Sequence, residues 1–204
     1  DGLGLDGSHR LVVVLMQLVN LMQDGKPVRM SKRSGKTIAL HDLLDEISVD
    51  AARYFFNSRA STSPLDFDLD LAVREDSENP VYYVQYAHAR ICSLIARLAE
   101  EGAQVPQAGD VDAAVLNTPE ELALIKALAQ FPEEIHLAAR DYDPSRINRY
   151  LVALAGDFHR FYNACRIKGE EPQVLGARLK LADTVRSVLA NGMGLLGVSA
   201  PEKM

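Results

Sequence analysis

Five cations and no acid stand among the eleven residues from Lys26 to Lys36: Lys26, Arg29, Lys32, Arg33 and Lys36. Ser31, Ser34 and Gly35 are interleaved with them. Small hydroxyl residues and glycine let a backbone approach an anion, and lysines add point charges, so the segment suits a polyphosphate. A solvated surface turn is the plain alternative for a run of like charge. A P-loop is excluded. Gly35-Lys36-Thr37 copies its ending, but the first glycine it requires would stand at position 30, which is Met30.

A second constellation follows later in the chain. Tyr83, Tyr86, Arg90 and Arg97 fall on one helical stripe, beside an apolar one. Tyr162 and Asn163 form a further aromatic–polar patch. Aromatic rings together with guanidinium planes suit unstacked RNA bases. The alternative is a set of core-edge tyrosines with their hydroxyls at the surface. Charge in this part is polarised. Residues 100–143 hold ten acids against Lys126 and Arg140, whereas residues 146–186 hold eight bases against Asp157, Glu170, Glu171 and Asp183. The basic stretch is where a phosphate backbone is expected to dock.

Other titratable residues read as structural. His88 and His159 fit packing or hydrogen-bonding positions better than catalytic ones. Asp66, Asp68 and Asp70 alternate like metal ligands but lack the glycine and glutamate of a calcium loop, so no metal site is expected. Cys92 and Cys165 sit in apolar helical patterns with no partner at ligand spacing, which reads as two buried free thiols in a reducing compartment.

These residues need elements to hold them. The nearly continuous apolar run of residues 11–22 reads as a buried strand, and Asp24-Gly25 as a hairpin turn, with a short return over 28–31. A lone strand pair is not a domain, so residues 1–35 read as the edge of a larger sheet. The periodicity turns helical from residue 41, with a break near 48–50, and residues 60–78 read as irregular. Asn79-Pro80 and Thr118-Pro119-Glu120-Glu121 are helix starts, the second a capping box with proline in the first turn. Pro132 predicts the opening of a separate short helix, Asp143-Pro144 another, and a last helix is expected from about Leu175 to Leu196.

The bulk numbers agree with a folded chain. Of 204 residues, 48% are apolar and 25% charged, enough for a core and too apolar for global disorder. A net charge of −6 excludes a uniformly basic nucleic-acid-binding protein, though not RNA binding through a local patch. The run Leu11–Met16 is far too short to span a membrane. The chain opens on Asp1 without a secretory leader, and upstream sequence is expected.

Several segments, in order, resemble one family. Val28-Arg29-Met30-Ser31-Lys32-Arg33-Ser34-Gly35-Lys36 resembles the signature loop of arginyl-tRNA synthetases, a class I aminoacyl-tRNA synthetase family. Val49 to Phe55 and Leu65 to Leu71 are similar to the elements that follow it there. The run Glu78 to Ile91, with Tyr-Val-Gln-Tyr-Ala-His-Ala-Arg inside it, resembles the opening of the family's anticodon-binding domain. Phe158 to Asn163 and Leu196 to Met204 resemble its close. Two positions depart from the loop pattern, Arg29 for its first lysine and Arg33 for its last serine. The His-Ile-Gly-His signature is absent from this chain, and the arginine pocket would lie upstream with it.

The resemblance implies a mainly α fold: a helical-bundle anticodon-binding domain (79–204), a helical connecting region that contacts the tRNA stem (36–78), and a short α/β remnant of a Rossmann-type catalytic domain (1–35). It implies a parent enzyme that makes arginyl-adenylate from ATP and arginine, typically with tRNA present, and esterifies tRNA(Arg). Lys32 would be the catalytic residue, stabilising charge on the leaving pyrophosphate, within an ATP-binding loop of Arg29, Met30, Ser31, Lys32, Arg33 and Ser34. Tyr83, Tyr86, Arg90, Arg97, Tyr162, Asn163, Arg166 and Met204 would bind tRNA. ATP would come with Mg2+, nothing would bind tightly to this piece alone, and the protein would be a cytoplasmic monomer with no membrane partner. A cysteine-type class I synthetase shares the loop and bundle, and a non-catalytic helical interaction module with a chance basic loop is the alternative from another class.

Overall fold

A computed structural model describes Gly4 and residues 6–28 and 40–204; for Ser8 and His9 it describes the backbone alone. The loop Arg29–Ser34, with Lys32, lies outside the described residues. After a single helical turn, α1 (Gly7–Arg10), the chain reaches a hairpin of β1 (Val19–Gln23) and β2 (Lys26–Pro27). Met22 pairs with Pro27 and Gln23 with Lys26, around Asp24 and Gly25 at φ 51° and 68°. Two positive φ values give the turn the twist that antiparallel strands need, which is why Asp-Gly predicts it. The return is therefore Lys26–Pro27, earlier than expected.

Two predictions for this region are corrected. The strand covers only Val19–Gln23, while the apolar residues from Leu11 to Leu18 are 46–84% exposed. The reason is the neighbour. β3 (Leu65–Asp68) runs parallel to β1 in the register Val19–Leu65 to Met22–Asp68, so the paired edge begins at Val19 and residues 11–18 have no strand beside them among the described residues. β3 itself lies in the stretch expected to be irregular. Its alternation is a half-buried strand pattern, with Leu65 and Phe67 inward. The acids have structural work: Asp66 accepts from Asn20 Nδ2 (2.9 Å), Asp68 caps α4 (Leu69–Ala72), and Asp70 accepts the Asp24 N–H (2.6 Å).

Two helices join β1–β2 to β3, as a parallel pair requires. α2 (Leu40–Glu46) and α3 (Val49–Phe56) are separated at Ser48, whose Oγ accepts the Ala51 N–H at 3.1 Å. Phe55 and Phe56 of α3 pack on Phe67 of β3, with ring centroids 5.4 and 5.1 Å apart.

The remainder is a bundle of α5 (Pro80–Glu100), α6 (Pro119–Asp141), α7 (Ser145–Ala164) and α8 (Pro172–Leu196). Asn79 caps α5 through the Val81 N–H, and its Nδ2 donates to the carbonyls of Ala72 and Arg74, tying the end of α4 to the start of the bundle. The capping box at Thr118 is formed as predicted. Pro132, however, opens no new helix and lies inside α6. A proline removes one hydrogen bond and crowds the turn before it. The carbonyl left without its donor is that of Leu128; beside it the Ala127 carbonyl receives the Tyr150 hydroxyl from α7 at 3.0 Å and Phe131 stacks on the Tyr150 ring at 5.3 Å, so packing against α7 sustains the helix through a breaker.

Leu124, Ile91, Leu151, Leu154, Phe158, Phe161, Leu179, Val185, Leu189 and Met193 form the sealed centre. Gly192 lets α8 approach α7, since a Cβ there would sit 2.6 Å from Leu151 Cδ2. The bundle and α3 are joined by reciprocal bonds: Tyr54 Oη donates to the Asn148 carbonyl, and Asn148 Nδ2 to the Tyr54 carbonyl. Cys165 is buried as expected, whereas Cys92 is half-exposed. No described helix is long and apolar enough to cross a membrane.

Candidate nucleic-acid interface

Helical spacing places Tyr82, Tyr83, Tyr86 and Arg90 on neighbouring stripes of α5, and α7 supplies His159 and Asn163 opposite them. Together with Ser77 these seven residues line a cavity of about 360 Å³. That is room for one planar heterocycle, at the small end of ligand pockets (~300–1,000 Å³). The walls are aromatic. Tyr82 and Tyr86 stack at 6.3 Å with planes 7° apart, and His159 leans on Tyr83 and Tyr86 at 5.1 and 6.2 Å. Phe158, fully buried, backs the His159 ring at 5.7 Å.

Two groups give the cavity polarity. Burial lowers the His159 pKa below the usual histidine value, and the Arg90 guanidinium lowers it further, so the ring is neutral at pH 7. Its Nδ1 is sealed from solvent and has no hydrogen-bond partner. Arg90 lies over the Tyr162 ring, 4.3 Å from its centroid, a cation–π contact that holds the guanidinium at the rim.

Tyr162 also borders a second cleft of about 280 Å³, with Arg97 from α5 and Arg166 and Lys168 from the turn between α7 and α8. Leu94, Leu98, Cys165 and Ile167 form its floor. Arg166 Nε donates to the Lys168 carbonyl (2.8 Å), fixing the turn, while Lys168 Nζ pairs with Glu101 (2.5 Å).

The expectation that residues 146–186 form a broadly basic docking surface is narrowed. Arg146 pairs with Glu134, Arg149 with Asp143, Arg160 with Asp157, Lys168 with Glu101, Arg178 with Glu121, and Lys180 and Arg186 with Asp183. A linear count of charges does not reveal such pairings. From residue 80 to 200 the lysines and arginines with no carboxylate within 4.0 Å among the described residues are Arg90, Arg97, Lys126 and Arg166, and three of these border the two clefts.

Met204 is held elsewhere, by the chain's tail. Gly197 at φ 68° ends α8, and the Val198 N–H returns to the Met193 carbonyl at 2.9 Å. Asp50 of α3 then accepts the Ser199 N–H (3.0 Å), the Ser199 hydroxyl and Gln85 Nε2 (2.8 Å). Buried His88 contacts the Pro201 carbonyl through Nδ1 at 2.9 Å, a structural role as read from the sequence. The tail so fixed brings Met204 to a third cleft of about 360 Å³, whose lining includes Ser48, Arg74, Gln85 and Tyr82. Tyr82 is thus shared with the aromatic cavity.

The eight predicted RNA contacts therefore divide. Tyr83, Tyr86, Arg90 and Asn163 line the aromatic cavity, Arg97, Tyr162 and Arg166 the basic cleft, and Met204 the third. Ser77, Tyr82, His159 and Lys168 were not among the predicted contacts. Tyr82 lies four residues before Tyr86 and His159 four before Asn163, so helical spacing could have found both. Among the described residues no group of three or more His, Cys, Asp or Glu could hold a metal ion.

The chain is similar to known proteins along nearly its whole length. It is 53% identical over 195 residues to the arginine–tRNA ligase of Acetivibrio thermocellus, covering 96% of this chain and 35% of the relative. It is 54% identical over 202 residues to that of Caldanaerobacter subterraneus subsp. tengcongensis, covering 99% and 36%. The chain thus spans about a third of the length of the curated relatives it matches. A solved structure from Campylobacter jejuni, described as an arginyl-tRNA synthetase, shares 34% identity and a TM-score of 0.81, covering 93% of this chain and 40% of that one. Thermus thermophilus arginyl-tRNA synthetase shares the fold, with a TM-score of 0.74 at 24% identity, covering 90% and 34%. Residues 84–204, from the middle of the α5 tyrosine cluster through the basic cleft to the clamped tail, match the DALR anticodon binding domain, and the chain belongs to that family.

Proposed function

We propose that this chain is the tRNA-reading part of an arginine–tRNA ligase, a larger enzyme that joins arginine to tRNA(Arg) at the expense of ATP. The carrying observation is the cavity of Tyr82, Tyr83, Tyr86, Arg90, His159 and Asn163, four of whose residues fall within the region that matches an anticodon binding domain. Stacking on aromatic rings contributes about 1–3 kcal/mol per base and accepts any base. Discrimination then falls to the edges, where Asn163 offers an amide, neutral His159 its Nε2, Nδ1 being sealed, and Arg90 only donors. An extruded anticodon base fits this division between stacking walls and reading edges. Arg97, Tyr162 and Arg166 flank it, and Met204, held through Asp50 and Gln85, borders the same tyrosine cluster.

Residues 1–35 are proposed as the edge of the catalytic domain, 36–78 as the stem-contact region and 79–204 as the anticodon-binding domain. Lys32 and its neighbours Arg29, Met30, Ser31, Arg33 and Ser34 are proposed to meet the ATP phosphates. Mg2+ would arrive with those phosphates and neutralise their charge. The chain alone is expected to bind tRNA without charging it.

The test is binding selectivity. The chain is titrated against tRNA(Arg), against the same tRNA with anticodon substitutions, and against an unrelated tRNA. Tighter binding of tRNA(Arg), lost on anticodon change, is the expected result. Equal affinity for all three would remove the basis of the proposal.

A further inference from the structure

We infer that the cleft of Arg97, Arg166 and Lys168 is a seat for one backbone phosphodiester of the RNA, and that Glu101 competes with the RNA for Lys168. The inference rests on the anticodon-binding reading and assigns this cleft a task separate from that of the aromatic cavity.

Four observations carry it. First, Arg97 and Arg166 are exposed and have no carboxylate partner among the described residues of a chain of net charge −6, whereas most cations around them are paired. Both line the one cleft, so an anion seated there would meet two cations that no carboxylate neutralises. Second, three of the cleft's lining residues are cations over an apolar floor, and the Tyr162 hydroxyl is the one neutral oxygen among the side chains there, so the cleft matches the charge of a phosphate better than the mixed donors and acceptors of a base edge. Third, Tyr162 borders this cleft and also carries Arg90, which lines the aromatic cavity. A base in one cleft and a neighbouring phosphate in the other would lie on either side of that pair. Fourth, the turn is fixed before any ligand arrives. Arg166 Nε is bonded to the Lys168 carbonyl, and the Arg166 carbonyl receives Arg178 from α8 (2.5 Å).

Glu101 is the single carboxylate on the Lys168 ammonium among the described residues. A phosphodiester must displace it or share the lysine with it. Both partners are more than two-fifths exposed, so the pair is weak and can be exchanged.

The experiment measures tRNA affinity against salt for the 204-residue chain and its Arg97→Gln, Lys168→Gln and Glu101→Gln forms. Thermal melting serves as the folding control, since all three side chains are exposed. Each lost phosphate contact should lower the slope of log K against log salt by about 0.7–0.9. Arg97→Gln and Lys168→Gln should therefore flatten the slope by about that amount and weaken every tRNA by the same factor, leaving the preference among tRNAs intact. Glu101→Gln should tighten binding a few-fold at low salt. A parallel titration with inorganic phosphate at matched ionic strength separates a free-phosphate site from a backbone seat. Phosphate binding that the cleft variants abolish while tRNA affinity stays unchanged would overturn the inference. So would unchanged slopes with intact folds, or loss of tRNA preference in Lys168→Gln. A wild-type chain that binds no tRNA would instead remove the functional reading itself.

Discussion

Removing the Glu121 side chain should destabilise the protein far more than breaking any other ion pair in the bundle. The carboxylate is fully buried and Arg178 is only 12% exposed. One oxygen accepts the Thr118 N–H (2.8 Å), closing the capping box of α6, and the other accepts Arg178 Nε (2.6 Å) from α8. Losing the cap costs about 1 kcal/mol. Leaving a partner charge buried costs about 3–5 kcal/mol, and the low end applies because Glu170 stays 3.7 Å from Arg178. Glu121→Ala is therefore expected to cost about 3–4 kcal/mol, or roughly 6–15 °C in melting temperature for a chain of this size. Circular dichroism melts at pH 7 measure it, with Arg178→Met and the double variant Glu121→Met/Arg178→Met alongside. The double variant should recover much of the loss, since two apolar groups leave no orphaned charge. The pH dependence has a definite sign. Burial alone would raise the Glu121 carboxyl, but the Thr118 N–H, Arg178 and the Thr118 hydroxyl together hold it below the usual range. Its contribution is thus present above the unfolded carboxylate value of about 4.3 and is lost as pH falls through the lower folded value. A shift under about 2 °C for Glu121→Ala would mean that the pair behaves like a solvated surface bridge, and the reasoning would fail.

Two further outcomes are expected. His159 is depressed by burial and by Arg90, so the unfolded chain binds the proton first and stability should fall as pH drops below about 6.5; melts of wild type and His159→Gln between pH 7.5 and 5 should diverge on the acid side, and parallel curves would contradict the assignment. Asp50→Ala removes the acceptor for Ser199 and Gln85, so carboxypeptidase should release Met204 several times faster than from wild type, and an unchanged rate would show that the tail is held by other means.

How much of this the sequence discloses depends on whether the determinant is local. The starts of α5 and α6 are legible because a cap is a property of four or five adjacent residues, Asn79-Pro80 and Thr118 to Glu121. The strand β3 is not, because Leu65-Asp66-Phe67-Asp68 is too short for its alternation to stand out, and Asp66 takes its partner 46 residues away, at Asn20, as Asp70 just beyond the strand does at Asp24. The run Leu11–Leu18 advertises burial without saying against what, and among the described residues no strand pairs with it. Pro132 misleads because a local helix breaker is overruled by the tertiary packing of α6 on α7. At the site, the stripe Tyr83, Tyr86 and Arg90 follows from helical geometry, but its meeting with Asn163 depends on how α5 packs against α7. Ion pairing is the least legible property of all, since Arg178 reaches back 57 residues to Glu121 and Lys168 reaches back 67 to Glu101.

That last property bears on how an acidic chain can hold RNA. Affinity for a polyanion depends on cations that the protein does not itself neutralise, and on where its free acids lie. Here the ion pairs consume most cations of α7 and α8, and Arg90, Arg97 and Arg166 remain on the face where α5 meets α7. α6, which packs on α7 and α8, carries Glu120 and Glu133 without a cation partner within 4.0 Å among the described residues. If the chain binds RNA as proposed, a duplex arm approaching from that side would be repelled and one approaching the face of Arg90, Arg97 and Arg166 would be drawn in. The negative net charge would then not oppose binding; it would narrow the approach to the orientation in which an extruded base meets the tyrosines and its backbone meets the arginines.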